Sequence, residues 1–496
     1  MPGQPERKSA DADALWGDAT LAIGEHRRRE LPRHEKLWAY YRNPLGLVGM
    51  SGSDSTSPGG WYRQGQEVGL PRRIRGRAGV LPLAGSEPGR REVVIENDIA
   101  WRVQTMVDFM FGRPVRFESL AIDAGTRATV ERVIEAVWER SGGIAMMQDA
   151  ALLGHVFGHV DLLLRIDESR LGGSIEDAAG AFTIEPVDPR RGVPLVSPAD
   201  YRELDGYAIH ARRTITPKPR GPIGRAIDAF EGTADAGRPP AHETITEVFA
   251  PGVRRVYRDG KRLSSERTTL LADTVPVVHI QNVSQPFVYN GVGEVEPLVA
   301  LQDELNTRLS DRANRVTLQS FRMYLAKGIE AFDAQSIGPG TVWSTNNPDA
   351  SIQPFGGDLY NPGEESHIAE IREALDKVSG VPPLAGGVVR AKLGNLSSAN
   401  ALRVTLMGLI AKTQRKRIGY GRGMERVGQL ILRAMHESGT FRLPEGERGL
   451  RIVWPGFVFE DERDQLAAAR QKQELGVDRG RVLAELGQDR PDPGVV

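Results

Sequence analysis

Apolar residues recur at helical spacing over residues 1–42 (Leu15, Ala19, Ala22, Ile23) among many charges, predicting one or two amphipathic helices. Residues 43–92 lose this order. They are rich in Gly, Pro, Ser and Arg (Arg72, Arg73, Arg75, Arg77, Arg90, Arg91) and read as an irregular arm whose arginines form a solvated, partner-facing surface. Helical periodicity returns at 96–112, with Asn97 or Asp98 as cap, Ile99, Val103, Met106, Val107 and Met110 on one stripe, and Gly112 and Pro114 as terminators. Two more helices are predicted at 126–140 and 143–157, followed by an apolar strand at 160–167.

From about 182 to 281 the pattern shortens to strands and turns: FTIEPVDP, YAIHARRTI, TITEVFA and VRRVYRDGKRL, with Asp259-Gly260 as a two-residue hairpin signal. A Pro/Gly-rich insertion at 216–242 interrupts them, and TVPVVHIQN closes the region as a buried strand. A long helix is predicted at 294–327, its stripe being Leu298, Leu301, Leu305, Leu309, Val316 and Leu325. Asp303, Glu304, Arg308, Asp311, Arg312 and Arg315 take its other faces, a pattern suited to helix contacts between subunits. Residues 328–362 are short and mixed. A helix follows at 364–378, then a Gly/Pro-rich mobile loop at 379–397. The stretch 398–437 is helical with a glycine-rich basic middle, KTQRKRIGYGRG, which predicts a kink. A strand at 450–459, a charged helix from Glu460 to about Leu475 and a short helix near 480–486 end the chain.

Composition narrows what these elements can do. A chain of 496 residues suits about three domains or one elongated subunit. Its formal charge is -1, so any nucleic-acid contact is local. There is no cysteine, which excludes disulfides, thiol catalysis and thiolate metal sites. The polar N-terminus is not that of a signal peptide, and no apolar run is long enough to predict a membrane span; synthesis and assembly in the cytosol are expected.

Motifs for chemistry are missing. There is no G-x-x-x-x-G-K-[ST], H-E-x-x-H or G-x-S-x-G, and GYGRG at 419–423 follows a helix rather than a strand. His155 and His159 stand four apart and could share a helix face as zinc ligands do, but among Leu152, Leu153, Val156 and Phe157 they read better as buried histidines. No catalytic residue, cofactor site or metal site is assigned. The basic cluster Arg415, Lys416, Arg417 and Arg422 has two readings, contact with phosphates or salt bridges to the acidic helix that starts at Glu460.

Taken in order, these segments resemble the portal proteins of tailed bacteriophages, the siphophage-type head-to-tail connectors. The helix ending in Phe-Gly-Arg-Pro-Val is similar to their early wing helix, and VPVVHIQN before EPLVALQDELNTRLSDRANRV to the approach to their first stem helix. LDKVSGVPPLAGG…GNLSSANALRV is similar to their second stem helix, tunnel loop and kinked wing helix, and VWPGFVFEDERDQLAAA to the lead into the crown. The resemblance covers roughly 90–490; the 43–92 arm and the 216–242 insertion match nothing in it. It implies an elongated α+β portal fold assembled as a dodecameric ring: a wing (1–293, with 398–459), a helical stem (294–327 and 364–378), a small clip (328–363), a tunnel loop (379–397) and a helical crown (460–496). It implies a non-enzymatic role at one capsid vertex of the virion, as the channel for DNA packaging and ejection. The implied partners are the terminase large subunit, the head-completion adaptor, the major capsid and scaffold proteins and double-stranded DNA, with no membrane. It places Arg390 and Lys392 of the tunnel loop beside DNA. The alternatives are another capsid or connector protein, or a nuclease of unfamiliar type.

Overall fold

A computed structural model describes residues 12–47, 62–75, 92–200, 202–215, 241–320, 323–327, 347–355, 362–386, 399–457, 462–477, 479–480 and 482. Its main helices are α1 (Ala12–Arg42), α2 (Asp98–Phe111), α3 (Ala124–Arg140), α4 (Gly143–Phe157), α5 (Val299–Ser320), α6 (Pro362–Ser379), α7 (Ala399–Glu437) and α8 (Glu462–Glu474). The strands are β1 (Leu45–Leu47), β2 (Tyr62–Gln64), β3 (Arg116–Ser119), β4 (His159–Ile166), β5 (Phe182–Val187), β6 (Gly192–Val196), β7 (Leu204–Ile215), β8 (Ala241–Ala250), β9 (Val253–Arg258), β10 (Lys261–Arg267), β11 (Val277–Gln281), β12 (Met323–Lys327), β13 (Ser351–Phe355) and β14 (Leu450–Val453). The fold is α+β. The chain divides into two compact units, residues 1–38, 101–296 and 380–496 in the first, and 39–100 and 297–379 in the second.

The first unit is built on β4. Its run VDLLLRI is mostly apolar, Asp161 and Arg165 apart, because both faces are covered, as in a central strand. Val160, Leu162 and Leu164 join the core formed by α3, α4 and α7, while Leu163 faces Tyr207, Ile209 and Phe249 of the second sheet. The sheets run β11-β4-β5 and β10-β9-β8-β7-β6. The start of α1 covers the latter with Leu15 and Ala19, and Trp16 stacks on Tyr257 at 3.7 Å. Asp259 and Gly260 both adopt positive φ (47° and 77°), the geometry of the tight hairpin their sequence predicts. Asp123 caps α3 by accepting from the Thr126 N–H at 2.8 Å.

Helix α7 runs without interruption for 39 residues, through the glycines expected to kink it. The glycines serve packing. A Cβ on Gly423 would lie 2.4 Å from Ile280 of β11, and one on Gly428 would lie 2.3 Å from Leu450 of β14, so strands approach the helix where side chains are missing. The predicted strand 450–459 is shorter than expected, ending at Val453 just before Trp454-Pro455. Strands β3, which pairs with β14, and β6 were not anticipated.

In the second unit a zipper fixes α5. Asn306, Ser310 and Asn314, one turn apart, accept from the N–H groups of Glu96, Val94 and Glu92 at 3.1, 3.0 and 2.9 Å. Four helical residues rise about 6 Å and two extended residues span about 6.6 Å, so the two ladders stay in step. Gln66, fully buried, donates to the Tyr40 carbonyl (2.7 Å) and to Asn97 Oδ1 (2.8 Å), and accepts from Asn306 Nδ2 (2.8 Å).

All but one of the charges of α5 noted in the sequence, Arg312 being the exception, find partners among the described residues of the chain. Tyr40 donates to Asp303 at 2.6 Å, Arg73 grips Asp311 with two bonds, Arg308 and His367 reach Glu304, and Arg315 pairs with Glu364. These mixed faces therefore do not by themselves require neighbouring subunits. The helix is also shorter than predicted. It begins at Val299 and ends at Ser320; 323–327, including Leu325, form β12, paired antiparallel with β13. That pairing is non-local, and helical periodicity cannot detect it.

Candidate functional site

The predicted phosphate contacts Arg390 and Lys392 lie outside the described residues, as does most of the loop that carries them. The described flank of that loop belongs to the first unit. Val381 is fully buried with Met106, Leu406 and Leu409, beside Trp101, Phe109, Ala385 and Ile410. The buried Arg102 guanidinium donates to the Val381 carbonyl at 2.9 Å. The segment entering the loop is thereby held on α2 and α7.

The four basic candidates of α7 separate into two pairs. Arg415 and Arg422, seven residues and two turns apart, are exposed on one face, which Arg426 extends. Lys416 is 3% exposed. It forms an ion pair with Glu294 at 2.7 Å, and Lys412 reaches the other carboxylate oxygen at 2.5 Å. Burial alone would raise the Glu294 carboxyl, but the Lys416 and Lys412 charges outweigh it and hold it at about 2. Arg417 donates to the Pro455 and Phe109 carbonyls and lies over the rings of Phe457 and Trp454. Among the described residues, the partners of Lys416 and Arg417 are thus not in the acidic helix expected to balance them. The sequence reading missed Glu294. Its partners were foreshadowed only by Lys412 and Lys416 at a four-residue step, and the carboxylate itself is more than a hundred residues away.

The C-terminal end of α7 is tied as firmly. The Leu271 N–H, at a residue with φ 52°, donates to Glu437 at 2.7 Å, and Arg433 bridges Asp273 and Glu437. Positive φ strains a branched residue, and these bonds hold it there.

The two histidines do not share a helix face. Gly158, with φ 97°, ends α4 between them, so His155 lies on the helix and His159 begins β4. His155 bonds the Ala151 carbonyl through Nδ1 at 2.6 Å. His159 sits in a file of rings, 6.0 Å from His34 and 5.5 Å from His279 between centroids. His279 faces Asp161 through Nδ1 and the Tyr289 carbonyl through Nε2, both at 2.7 Å. Tyr207 and Tyr289 also donate to Asp161, at 2.8 and 2.7 Å. No group of three potential metal-ligating side chains occurs among the described residues.

Residues 91–480 match the family model described as "Phage portal protein, SPP1 Gp6-like". The chain belongs to this phage portal family. No curated protein matches it. A solved structure titled "Virion of native gene transfer agent (GTA) particle" is similar at 10% identity with a TM-score of 0.43, covering 84% of this chain and 99% of that one. Portal proteins of this family are structural components of the virion, not enzymes, and the portal fold here is α+β. No helix among the described residues is long and apolar enough to cross a membrane.

Proposed function

We propose that this portal chain assembles into a twelve-fold ring at one capsid vertex and forms the channel through which DNA is packaged and ejected. The observation that carries this reading is the family match over residues 91–480. The ring docks the terminase large subunit during packaging, then the head-completion adaptor, and meets the major capsid and scaffold proteins at its rim. The wing is residues 1–293 with 398–459, the stem 294–327 and 364–378, the clip 328–363, the tunnel loop 379–397 and the crown 460–496. Negative-stain images of the purified protein should show closed rings with a central hole, and thirteen-fold rings are expected on overproduction without partners. Native mass spectrometry giving only monomers and dimers across salt and protein concentration would overturn the reading.

Two predictions concern its parts. Deleting 333–358 should abolish binding to both terminase and adaptor while leaving the wing folded. A pull-down in which the deleted protein kept both partners would remove the clip assignment. In the tunnel loop, Arg390 and Lys392 are the sole charged residues of 379–397. One positive pair per subunit gives weak, salt-screened contact with phosphate, which suits a conduit because tight binding would stall movement. Changing both to alanine should leave ring formation and stability nearly unchanged but alter the length or yield of packaged DNA. Normal packaging from intact double-mutant rings would refute the role of these residues.

A further inference from the structure

Two helices of the first unit each bury one face and turn the opposite face outward. Helix α1 lays Leu15 and Ala19 on the five-stranded sheet. Its outer face carries Asp18, Leu21 and Glu25, all exposed, with Leu21 at 71%. Helix α7 buries Leu409, Lys416 and Tyr420. Its outer face carries Arg415, Ile418 and Arg422, all exposed, with Ile418 at 59%. In both trios the residues follow at steps of three and then four, so each trio forms one stripe along its helix. Asp18, Glu25, Arg415 and Arg422 make no ion pair among the described residues. The partly buried Arg165, Arg254 and Arg433 of the same unit are each met by a carboxylate.

The two stripes are complements. One reads acid, leucine, acid; the other reads arginine, isoleucine, arginine, at the same spacing. Both are exposed, so they do not cover each other within one copy. Two glycines add to the picture. Gly17 and Gly24 flank Leu21 on the outer side of α1, where glycine weakens a helix interior. No atom among the described residues lies within 4 Å of a Cβ built at either position. Packing inside the copy therefore does not account for them. A second helix laid on this face would come closest where those side chains are missing.

We propose that the outer face of α1 in one copy packs on the outer face of α7 in the next, with Leu21 against Ile418 and the two acids against the two arginines. This rests on the reading of the chain as a ring subunit and names a contact that joins neighbours around the ring. The helices run antiparallel, Glu25 meeting Arg415 and Asp18 meeting Arg422. A parallel pairing would carry the exposed Arg28 and Arg29, just beyond Glu25, toward the exposed Arg426 beyond Arg422, and like charges would oppose it. Two different patches of one chain that meet between copies make a head-to-tail contact, the kind that generates rings.

The test reverses the charges in the full chain. One variant combines Asp18→Arg with Glu25→Arg, and the other combines Arg415→Glu with Arg422→Glu. The four positions are exposed and have no ion-pair partner to lose among the described residues, so both variants should melt where the parent does. Alone, each variant should give at least tenfold fewer rings by native mass spectrometry, because every contact then sets like charges face to face. Mixed in equal amounts, the two should form rings again. Each basic α1 face then meets an acidic α7 face, and each acidic α1 face a basic one, so these rings hold the two variants in equal numbers. A chain carrying all four changes should also form rings by itself. Rings at parental yield from either variant alone, or failure of either rescue by folded protein, would overturn the proposal while leaving the portal reading in place. A parent that never forms rings would overturn both.

Discussion

Replacing Glu294 by alanine should destabilise the first unit by about 3–5 kcal/mol, because it leaves Lys416 buried without its counter-charge. Lys412, at 21% side-chain exposure, can turn to water, whereas Lys416, at 2%, cannot. Glu294→Gln combined with Lys416→Met should recover most of the loss, since neutral groups of similar volume remove the desolvation penalty from both sides. Denaturant midpoints of the three proteins decide this, and equal midpoints for Glu294→Ala and the parent would show that the pair contributes nothing. The pH dependence has a definite sign. The Glu294 carboxyl is held at about 2, below its ordinary 4.5, so its contribution is present above pH 4.5 and is lost as pH falls toward 2. The difference amounts to about 3 kcal/mol.

Acid should weaken the same unit earlier, through histidines. Burial holds His34 and His155 down at about 3 and His159 at about 4, from an ordinary 6.5. Lys416 pushes the same way on His155 against an opposing pull from Glu294, repulsion from the His159 side chain adds to burial at His34, and Asp161 pulls the other way on His159. The unfolded chain takes up these protons and the folded chain does not, so stability falls as pH drops below 6.5 and keeps falling until each folded-state value is reached. At pH 5 each histidine accounts for about 2 kcal/mol. Melting temperatures measured from pH 7 to pH 5 should fall steeply, and His34→Phe, placed beside the Phe157 ring, should flatten the slope. An unchanged slope in that variant would show that His34 is not held neutral.

Local chemistry made much of this fold readable. The bounds of α4 and the Asp259-Gly260 turn rest on contacts within a few residues, and each appears where its residues predict. What the sequence hid depends on distant partners. The segment 323–327 is a strand because 351–355 pairs with it. The α7 glycines look like helix breakers until Ile280 and Leu450 are seen against them. Lys416 looks like one of four equivalent basic residues until Glu294, brought in from outside the helix, selects it for burial. The order of elements across 91–480 was sufficient for the family, because order survives when individual contacts cannot be foreseen.

Helix α7 also has a mechanical side. Thirty-nine residues of unbroken helix extend about 58 Å. One end follows in sequence the residues proposed above as the tunnel loop, and the other holds Leu271 in a strained conformation through Glu437. A continuous helix resists axial compression, so a push at Ala399 is delivered at Glu437 with little loss. Leu271 would register such a push first, because a residue already held against its torsional preference yields before relaxed neighbours do.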